Sequence, residues 1–357
     1  MKKKKTLALI GSGPSSLMVL SQLRDEYDVT LFEKPNKNFV LGRRILVSGN
    51  GRANFFNADL LSRPGAFEML SFLKESLHFR YVTEGKLYYP YFNRSECLQK
   101  VLISSIEKNP HIHVVDSAVV EVVPEKKKLI YLKDGKRTSF DYDYLVFAPG
   151  GRSYDRKDYS YDLLKSLKVS YKPFESLLCP VKVRERIPSY LDKNRLRCTL
   201  TLLEDNKPVF EEKGEVLFKN DGLSGICVFD STLTLREKEH EGKTFTYRID
   251  YDDGTLRKDD LDSAPEFLRH YLSEKGISFP SPIYFTFEDF YPFENSQVSF
   301  GGILTSERNE NLTLKKHPDI FALGEVMDNS FICGGYNMGN ALLEGYLCGK
   351  ELLGYAK

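Results

Sequence analysis

The sequence lacks an excess of charge of either sign. It holds 51 basic and 50 acidic residues, a formal net charge of +1 over 357 residues. That balance calls for neither nucleic acid nor an anionic membrane as partner, although local clusters remain compatible with it. No apolar run approaches the roughly 18–20 residues of a membrane helix. None of the six cysteines (Cys97, Cys179, Cys198, Cys227, Cys333, Cys348) stands in a C-x-x-C pair, which argues against structural zinc and against a redox disulfide of that type. His111 and His113 would share one face of a strand, but two ligands do not make a zinc site, so no metal is expected. A nucleophile elbow, a Walker motif, a second strand-linked G-x-G-x-x-G and an internal repeat are all missing. Lys2 to Lys5 have the charge of a signal n-region. The apolar stretch Thr6 to Ile10 is too short for an h-region and runs into glycine. The lysines read as a solvated tail, the thiols as reduced, and the compartment as cytoplasmic.

What is present is a globular composition, 41% hydrophobic, in a chain long enough for one large core and an inserted domain. Thr6 to Ile10 reads as a buried parallel strand, Pro14 to Tyr27 as a helix with a first-turn proline, and Asp28 to Glu33 as a second strand. Residues 34–60 read as a loop, and residues 66–77 and 94–107 as helices. Strand-like runs follow at His113–Val115, Val119–Val123, Leu129–Leu132 and Tyr144–Phe147. From about residue 173 the texture changes. Short β-type runs over 179–250, with turns at Asp205-Asn206 and Asn220-Asp221-Gly222, suggest a mostly antiparallel insert. The division is therefore 1–172, an inserted β-barrel-like substrate domain at 173–287 with a short helical segment at about 255–280, and a return at 288–357 that closes with a helix from Asn340 to Leu353.

Gly11-Ser12-Gly13-Pro14-Ser15-Ser16 follows the first strand and opens a helix. Gly11 permits a tight turn, Gly13 lets a pyrophosphate approach the backbone, and the helix N-terminus offers free N–H groups. Ser16 stands where the third glycine of G-x-G-x-x-G is expected. Glu33 ends the next strand, 22 residues after Gly11, where a carboxylate takes ribose hydroxyls and repels a 2′-phosphate. The site suits the adenosine of FAD or NAD rather than NADP, and strand, turn and helix alone do not separate those two.

A second segment, Leu41-Gly42-Arg43-Arg44-Ile45-Leu46-Val47-Ser48-Gly49-Asn50-Gly51-Arg52-Ala53-Asn54, has glycines for close approach and arginines for phosphates. On chemistry alone a flexible basic loop fits it equally well. The segment resembles the G-R-K-L-L-I-S-G-G-G-R-C-N signature of the YhiN/BaiN-type flavoproteins, also called the aminoacetone oxidase family. Further motifs follow in that family's order: Gly85 to Pro90, Leu145 to Gly151, Gly214 to Phe218 with Gly222 to Gly225, Gln297 to Ile303, Phe321 to Asp328, and Gly334 to Asn337.

The resemblance implies an α/β protein: a Rossmann-like, glutathione-reductase-like FAD-binding domain made from both chain ends, with an inserted mostly-β domain and a short helical segment. It implies that Gly11, Gly13, Ser15 and Ser16 hold the pyrophosphate, with Glu33 on the ribose and Pro14 and Lys34 among the cofactor-binding residues. Arg43, Ser48, Gly49, Asn50, Gly51, Arg52, Ala53 and Asn54 would wrap the flavin side. Val119 would meet the adenine through its backbone, with Ala148 and Gly150 at a neighbouring strand end. Gly324 and Glu325 would lie by the ribityl and phosphate region. Gly335, Tyr336, Asn337 and Met338 would lead into the last helix, whose positive end faces the flavin. Ala53 departs from the family's cysteine, Pro149 from a threonine and Ile226 from a proline, and the stretch from Asp250 to Tyr284 is short for the family's helical subdomain. These departures bear on substrate more than on flavin.

The expected function is an FAD-dependent oxidoreductase acting on a small-molecule substrate, with FAD held non-covalently and NADH or NADPH as a transient donor. A flavin amine oxidase passing electrons to oxygen and a non-catalytic flavin-binding sensor are the alternatives. Substrate-side candidates are Tyr336, which chemistry and packing claim equally, Cys333, which also fits an inert core thiol, and Tyr89 in the Tyr88-to-Phe92 aromatic cluster. The residues fix neither catalytic acid nor oligomeric state.

Overall fold

The computed structural model describes residues 4–36, 38–153, 159–252 and 254–356. Its contacts gather into two units, one of the described residues up to Arg152, 159–174 and from Gly301 onward, the other of Ser153 and Glu175 to Phe300.

The first unit is built on a five-stranded parallel sheet in the order Ile320–Ala322, Tyr144–Phe147, Lys5–Ile10, Tyr27–Glu33, Ile112–Asp116. Leu7, Leu9, Leu31 and Val146 are fully buried, as strands covered on both faces require. One face carries the helices Pro14–Gln22, Ser95–Glu107 and Tyr336–Tyr355, whose Leu17, Leu98 and Leu342 join one core with Leu9. Phe32 meets Tyr131 and Phe140, at 5.1 and 5.2 Å between ring centroids. Those rings come from an antiparallel sheet of Val119–Val123, Lys128–Lys133 and Lys136–Asp141. The parallel register, Ile10 beside Phe147 and Phe32, brings the carboxyl ends of the strands to one edge, where an open α/β sheet binds its ligand.

Several sequence expectations shift here. Lys4 and Lys5 are not tail: Lys5 starts the first strand, its Nζ donates to the Tyr355 carbonyl at 3.1 Å, and Lys4 Nζ lies 3.3 Å from His111 Nε2. Lys2 and Lys3 fall outside the described residues. The first helix ends at Gln22 because Tyr27 pairs with Lys5 and its hydroxyl donates to the Leu352 carbonyl at 2.6 Å. His111 precedes the strand Ile112–Asp116, so the His111/His113 pair does not share a strand face. Residues 34–60 are not a plain loop. They hold the helix Arg43–Val47 and the tight turns Ser48–Gly51 and Ala58–Ser62. Gln99 Nε2 donates to the Leu41 carbonyl at 2.6 Å and Ser95 Oγ to that of Leu46 at 3.0 Å, fixing this segment to the helix Ser95–Glu107.

The second unit is a closed barrel in the order Val181–Val183, Gly222–Ser224, Lys207–Lys219, Arg195–Glu204, Phe245–Asp250, Ile283–Phe290. Closure leaves no edge strand. Ile283–Phe290 pairs with both Val181–Val183 and Phe245–Asp250, so the residues just after 287 complete the barrel and the first unit resumes at Gly301. The strands are not all short, since Arg195–Glu204 and Lys207–Lys219 form a long hairpin. Asp205 and Asn206 turn it with φ of 48° and 66°, the left-handed pair such a turn requires. The helix Ile226–Glu237 sits where strands were expected. Its sequence favours strand locally, but burying Val228 and Leu235 in the barrel core outweighs propensity. Lys258–Ser263 and Glu266–Lys275 are short helices.

Candidate flavin site

The nucleotide turn leaves the first strand at Gly11, where a Cβ would lie 2.4 Å from the Ala148 carbonyl oxygen. Only glycine allows that approach to the neighbouring strand end. Glu33 Oε2 accepts the Ser12 N–H at 2.6 Å, and Ser12 Oγ accepts the Gly42 N–H at 3.1 Å. The acid at the second strand's end and the start of the Gly42-Arg43 segment are thus tied to one turn. The Ser117 N–H donates to the Glu33 carbonyl at 2.9 Å, which brings the segment leading to Val119 beside the same strand end. Lys34 is exposed one residue further on.

The turn fits the diphosphate of a dinucleotide on two observations. A Cβ at Gly13 or Gly150 would meet nothing within 4 Å, so backbone is open to a ligand there. Ser16 Oγ is buried at the start of the helix Pro14–Gln22 and has no partner. A buried hydroxyl left unbonded costs about 1–3 kcal/mol, and an anion at the helix N-terminus is a ready acceptor.

The signature segment continues from the same turn. Arg43 is exposed at the start of its short helix, and Ser48, Gly49, Asn50 and Gly51 form the following turn. Gly51 is also open: a Cβ there would meet nothing within 4 Å. Ala53 is fully buried with φ of 49°, so a methyl group fills the place where the resemblance expects a thiol. Arg52 is engaged within the protein: Nε donates to Asn93 Oδ1 at 2.6 Å, Nη2 to Glu84 Oε1 at 2.8 Å, and the guanidinium lies 4.2 Å over the Tyr89 ring. Tyr89 is buried under it, and desolvation holds its hydroxyl above the usual phenol range. Tyr88 packs at 5.3 Å on Phe56. Tyr91 and Phe92 are exposed.

The last helix starts beside this segment. The Asn54 amide donates to the Phe56 carbonyl at 3.1 Å and its oxygen accepts the Gly335 N–H at 3.3 Å. Asn57 Nδ2 donates to the Gly334 carbonyl at 2.8 Å. The Asn337 side chain accepts from the Phe331 N–H at 3.0 Å and donates to the Phe331 carbonyl at 2.8 Å. Asn337 therefore shapes the turn through half-buried Cys333, and the helix begins at Tyr336 rather than Asn340. Tyr336 OH donates to Asp59 Oδ2 at 2.7 Å, and Lys86 Nζ lies 2.9 Å from Asp59 Oδ1. Those two donors hold the Asp59 carboxyl below the usual range. Met338 packs on the core in the first helical turn.

On the far side, Gly324 has φ of 73°, and a Cβ there would lie 2.8 Å from Ser15 Oγ. Its N–H is taken by Glu344 Oε2 at 2.7 Å, and Glu344 Oε1 accepts from Arg308 Nη2 at 2.8 Å. Glu325 is half-buried in the turn that follows. Sequence reasoning missed Arg308, Glu344, Asn57 and Asp59. One signal was available for Glu344: a carboxylate set directly between Leu342-Leu343 and Gly345 in a largely apolar helix. Among the described residues no group of three or more His, Cys, Asp or Glu could hold a metal, and no helix is long and apolar enough to cross a membrane.

This chain is similar to the 3-dehydro-bile acid delta(4,6)-reductase of Clostridium scindens, 25% identical over 96% of this chain and 98% of the relative. It is also similar to the ribosomal RNA dihydrouridine synthase of Escherichia coli, 22% identical over 87% of this chain and 89% of that protein. Among solved structures, 3-ketosteroid delta1-dehydrogenase from Sterolibacterium denitrificans superposes with a TM-score of 0.56, covering 99% of this chain and 100% of that one at 9% identity. That likeness shows the fold alone. The HI0933-like protein Rossmann domain matches residues 60–351. With the site at the sheet's carboxyl edge and the motif order along the sequence, the chain belongs to the HI0933-like, YhiN/BaiN-type flavoproteins and is an FAD-dependent oxidoreductase.

Proposed function

We propose that this protein is a reductase that saturates a carbon–carbon double bond conjugated to a carbonyl in a small organic substrate, with NADH or NADPH docking transiently as donor. The observation that carries this reading is the match along 96% of the chain to a relative named as a bile-acid reductase. The second relative's name also describes a reduction, since making dihydrouridine adds two hydrogens across a double bond conjugated to a carbonyl.

Bound FAD supplies two-electron transfer, which no side chain provides. The chain's own residues bind, orient and move a proton. Gly13, Ser15 and Ser16 take the pyrophosphate at the helix N-terminus, and Glu33 takes the ribose. Asn54 seats the start of the 20-residue helix Tyr336–Tyr355, whose positive end favours negative charge on the ring system. The Tyr336 hydroxyl donates to exposed Asp59, beside Lys86. This arrangement offers a path for the proton that completes the reduction.

The test begins with the visible spectrum of the purified protein and the mass of any released cofactor. Reduction is then followed under nitrogen with NADH and with NADPH, and the reduced protein is offered a 3-oxo-4-ene steroid, a uridine-containing oligoribonucleotide, or air. Reoxidation by the enone supports the proposal. Reoxidation by the oligonucleotide alone would move the substrate to RNA. Fast reoxidation by air with no response to either would favour the amine oxidase and sink the reductase reading.

A further inference from the structure

We propose that Arg308 and Glu344 are positioning residues for the cofactor: a buried ion pair that seats the Gly324 turn against the pyrophosphate-binding turn and keeps the ground behind it electrically neutral. The inference rests on the assignment of the pyrophosphate to the turn at Gly11–Ser16.

Glu344 lies in the last helix with 1% of its side chain exposed, and Arg308 with 12%. The carboxylate is fully used. Oε2 accepts the Gly324 N–H at 2.7 Å, while Oε1 accepts from Arg308 Nη2 at 2.8 Å and from Asn329 Nδ2 at 3.2 Å. Arg308 Nη1 donates to the Ala322 carbonyl at 2.9 Å. The pair thus grips both Ala322, the last residue of an edge strand, and Gly324, two residues beyond. Gly324 abuts Ser15, with a Cβ contact of 2.8 Å to Ser15 Oγ. Its amide is therefore not a donor for a phosphate. What the turn contributes is its shape and the absence of a side chain.

The charge argument is directional. A dinucleotide pyrophosphate is a dianion, and a buried carboxylate close behind its turn would oppose it. Arg308 cancels that charge. Removing one member of a buried pair leaves the other uncompensated, whereas removing both restores neutrality. Arg308 loss should therefore weaken FAD binding more than Glu344 loss does, and the double change should recover part of the deficit.

The experiment measures FAD dissociation constants of apoprotein by visible absorbance, with apoprotein melting temperatures alongside, for wild type, R308M, R308K, E344Q and R308M/E344Q. The expected result is at least tenfold weaker FAD binding for R308M, a smaller loss for E344Q, partial rescue by R308K, and at least threefold recovery in R308M/E344Q relative to R308M. If R308M does not fold, R308K and E344Q decide the matter on the same scale. Dissociation constants within twofold of wild type, with lowered melting temperatures, would make the pair merely structural and overturn the proposal. A wild-type protein that takes up no FAD would overturn the pyrophosphate assignment, and this proposal with it.

Discussion

Glu33 and Ser12 close the nucleotide turn on itself: the carboxylate at the end of the second strand accepts the turn's backbone N–H at 2.6 Å. The acid therefore orders the turn, and under the proposed function it also meets the ribose. E33Q keeps an acceptor but loses the charge. E33A also strands the Ser12 N–H. FAD affinity should fall about tenfold in E33Q, about 1.4 kcal/mol, and further in E33A. Titration of apoprotein with FAD checks this, and unchanged affinity in E33A would remove Glu33 from the site.

The start of the last helix is equally constrained. At Gly335, with φ of 86°, a Cβ would lie 2.6 Å from the Asn54 carboxamide and 2.8 Å from the Phe56 carbonyl oxygen. G335A therefore meets both a left-handed backbone and immovable backbone neighbours. It should destabilise the first unit by about 2–3 kcal/mol on the scale of such strain and release FAD. Thermal melting with and without added FAD reads both effects. A melting temperature within one or two degrees of wild type would contradict the geometry.

The strand, turn, helix and acid of residues 6–33 are legible because each is a local rule: an apolar run, two glycines, a first-turn proline, a carboxylate at a fixed spacing. The Gly335 turn is legible only through resemblance, since its need for glycine comes from Asn54 and Phe56, which lie far away in sequence. Arg308 and Glu344 have no pattern to announce them, because their partners are a backbone amide and a carbonyl that only the folded chain brings near. The helix Ile226–Glu237 reads as strand for the same reason. Its β-branched residues carry the strand signal, and the barrel it packs on is not visible along the sequence.

Glu212 gives the second unit a pH dependence. Its Oε2 is buried without a partner, and burial, then the neighbouring Asp230, push its carboxyl from 4.5 up to about 7. In the unfolded chain the group ionises near its ordinary value, so between about pH 4.5 and 7 the folded protein holds a proton that the unfolded chain has released. That contribution to stability is present below about 4.5 and is lost as pH rises to about 7. E212Q should abolish this slope and stabilise the protein at pH 8 by about 1–2 kcal/mol, less than the full shift implies because the side chain is partly solvated. Chemical denaturation of both forms at pH 5 and pH 8 tests it, and an E212Q gain that is equal at the two pH values would refute the titration of Glu212.

Arg52 separates two meanings of the signature segment. The family resemblance implies a cation near the flavin, yet its guanidinium is spread over Asn93, Glu84 and the face of Tyr89. A planar fork can hold Asn93 and Glu84 together while stacking on a ring, and an ammonium group cannot. If the fork is what matters, R52K and R52A should both loosen the hairpin Tyr81–Glu84/Leu87–Pro90. The cost would be about 1 kcal/mol, as for a partly exposed ion pair with a cation–π contact, and FAD affinity would change little. If charge is what matters, R52K should behave as wild type, whereas R52A alone should lose FAD. Limited proteolysis of the hairpin alongside FAD titration distinguishes the two. The contacts made by Arg52 favour the first outcome, and FAD loss in R52A with an intact hairpin and a normal R52K would reverse that assignment.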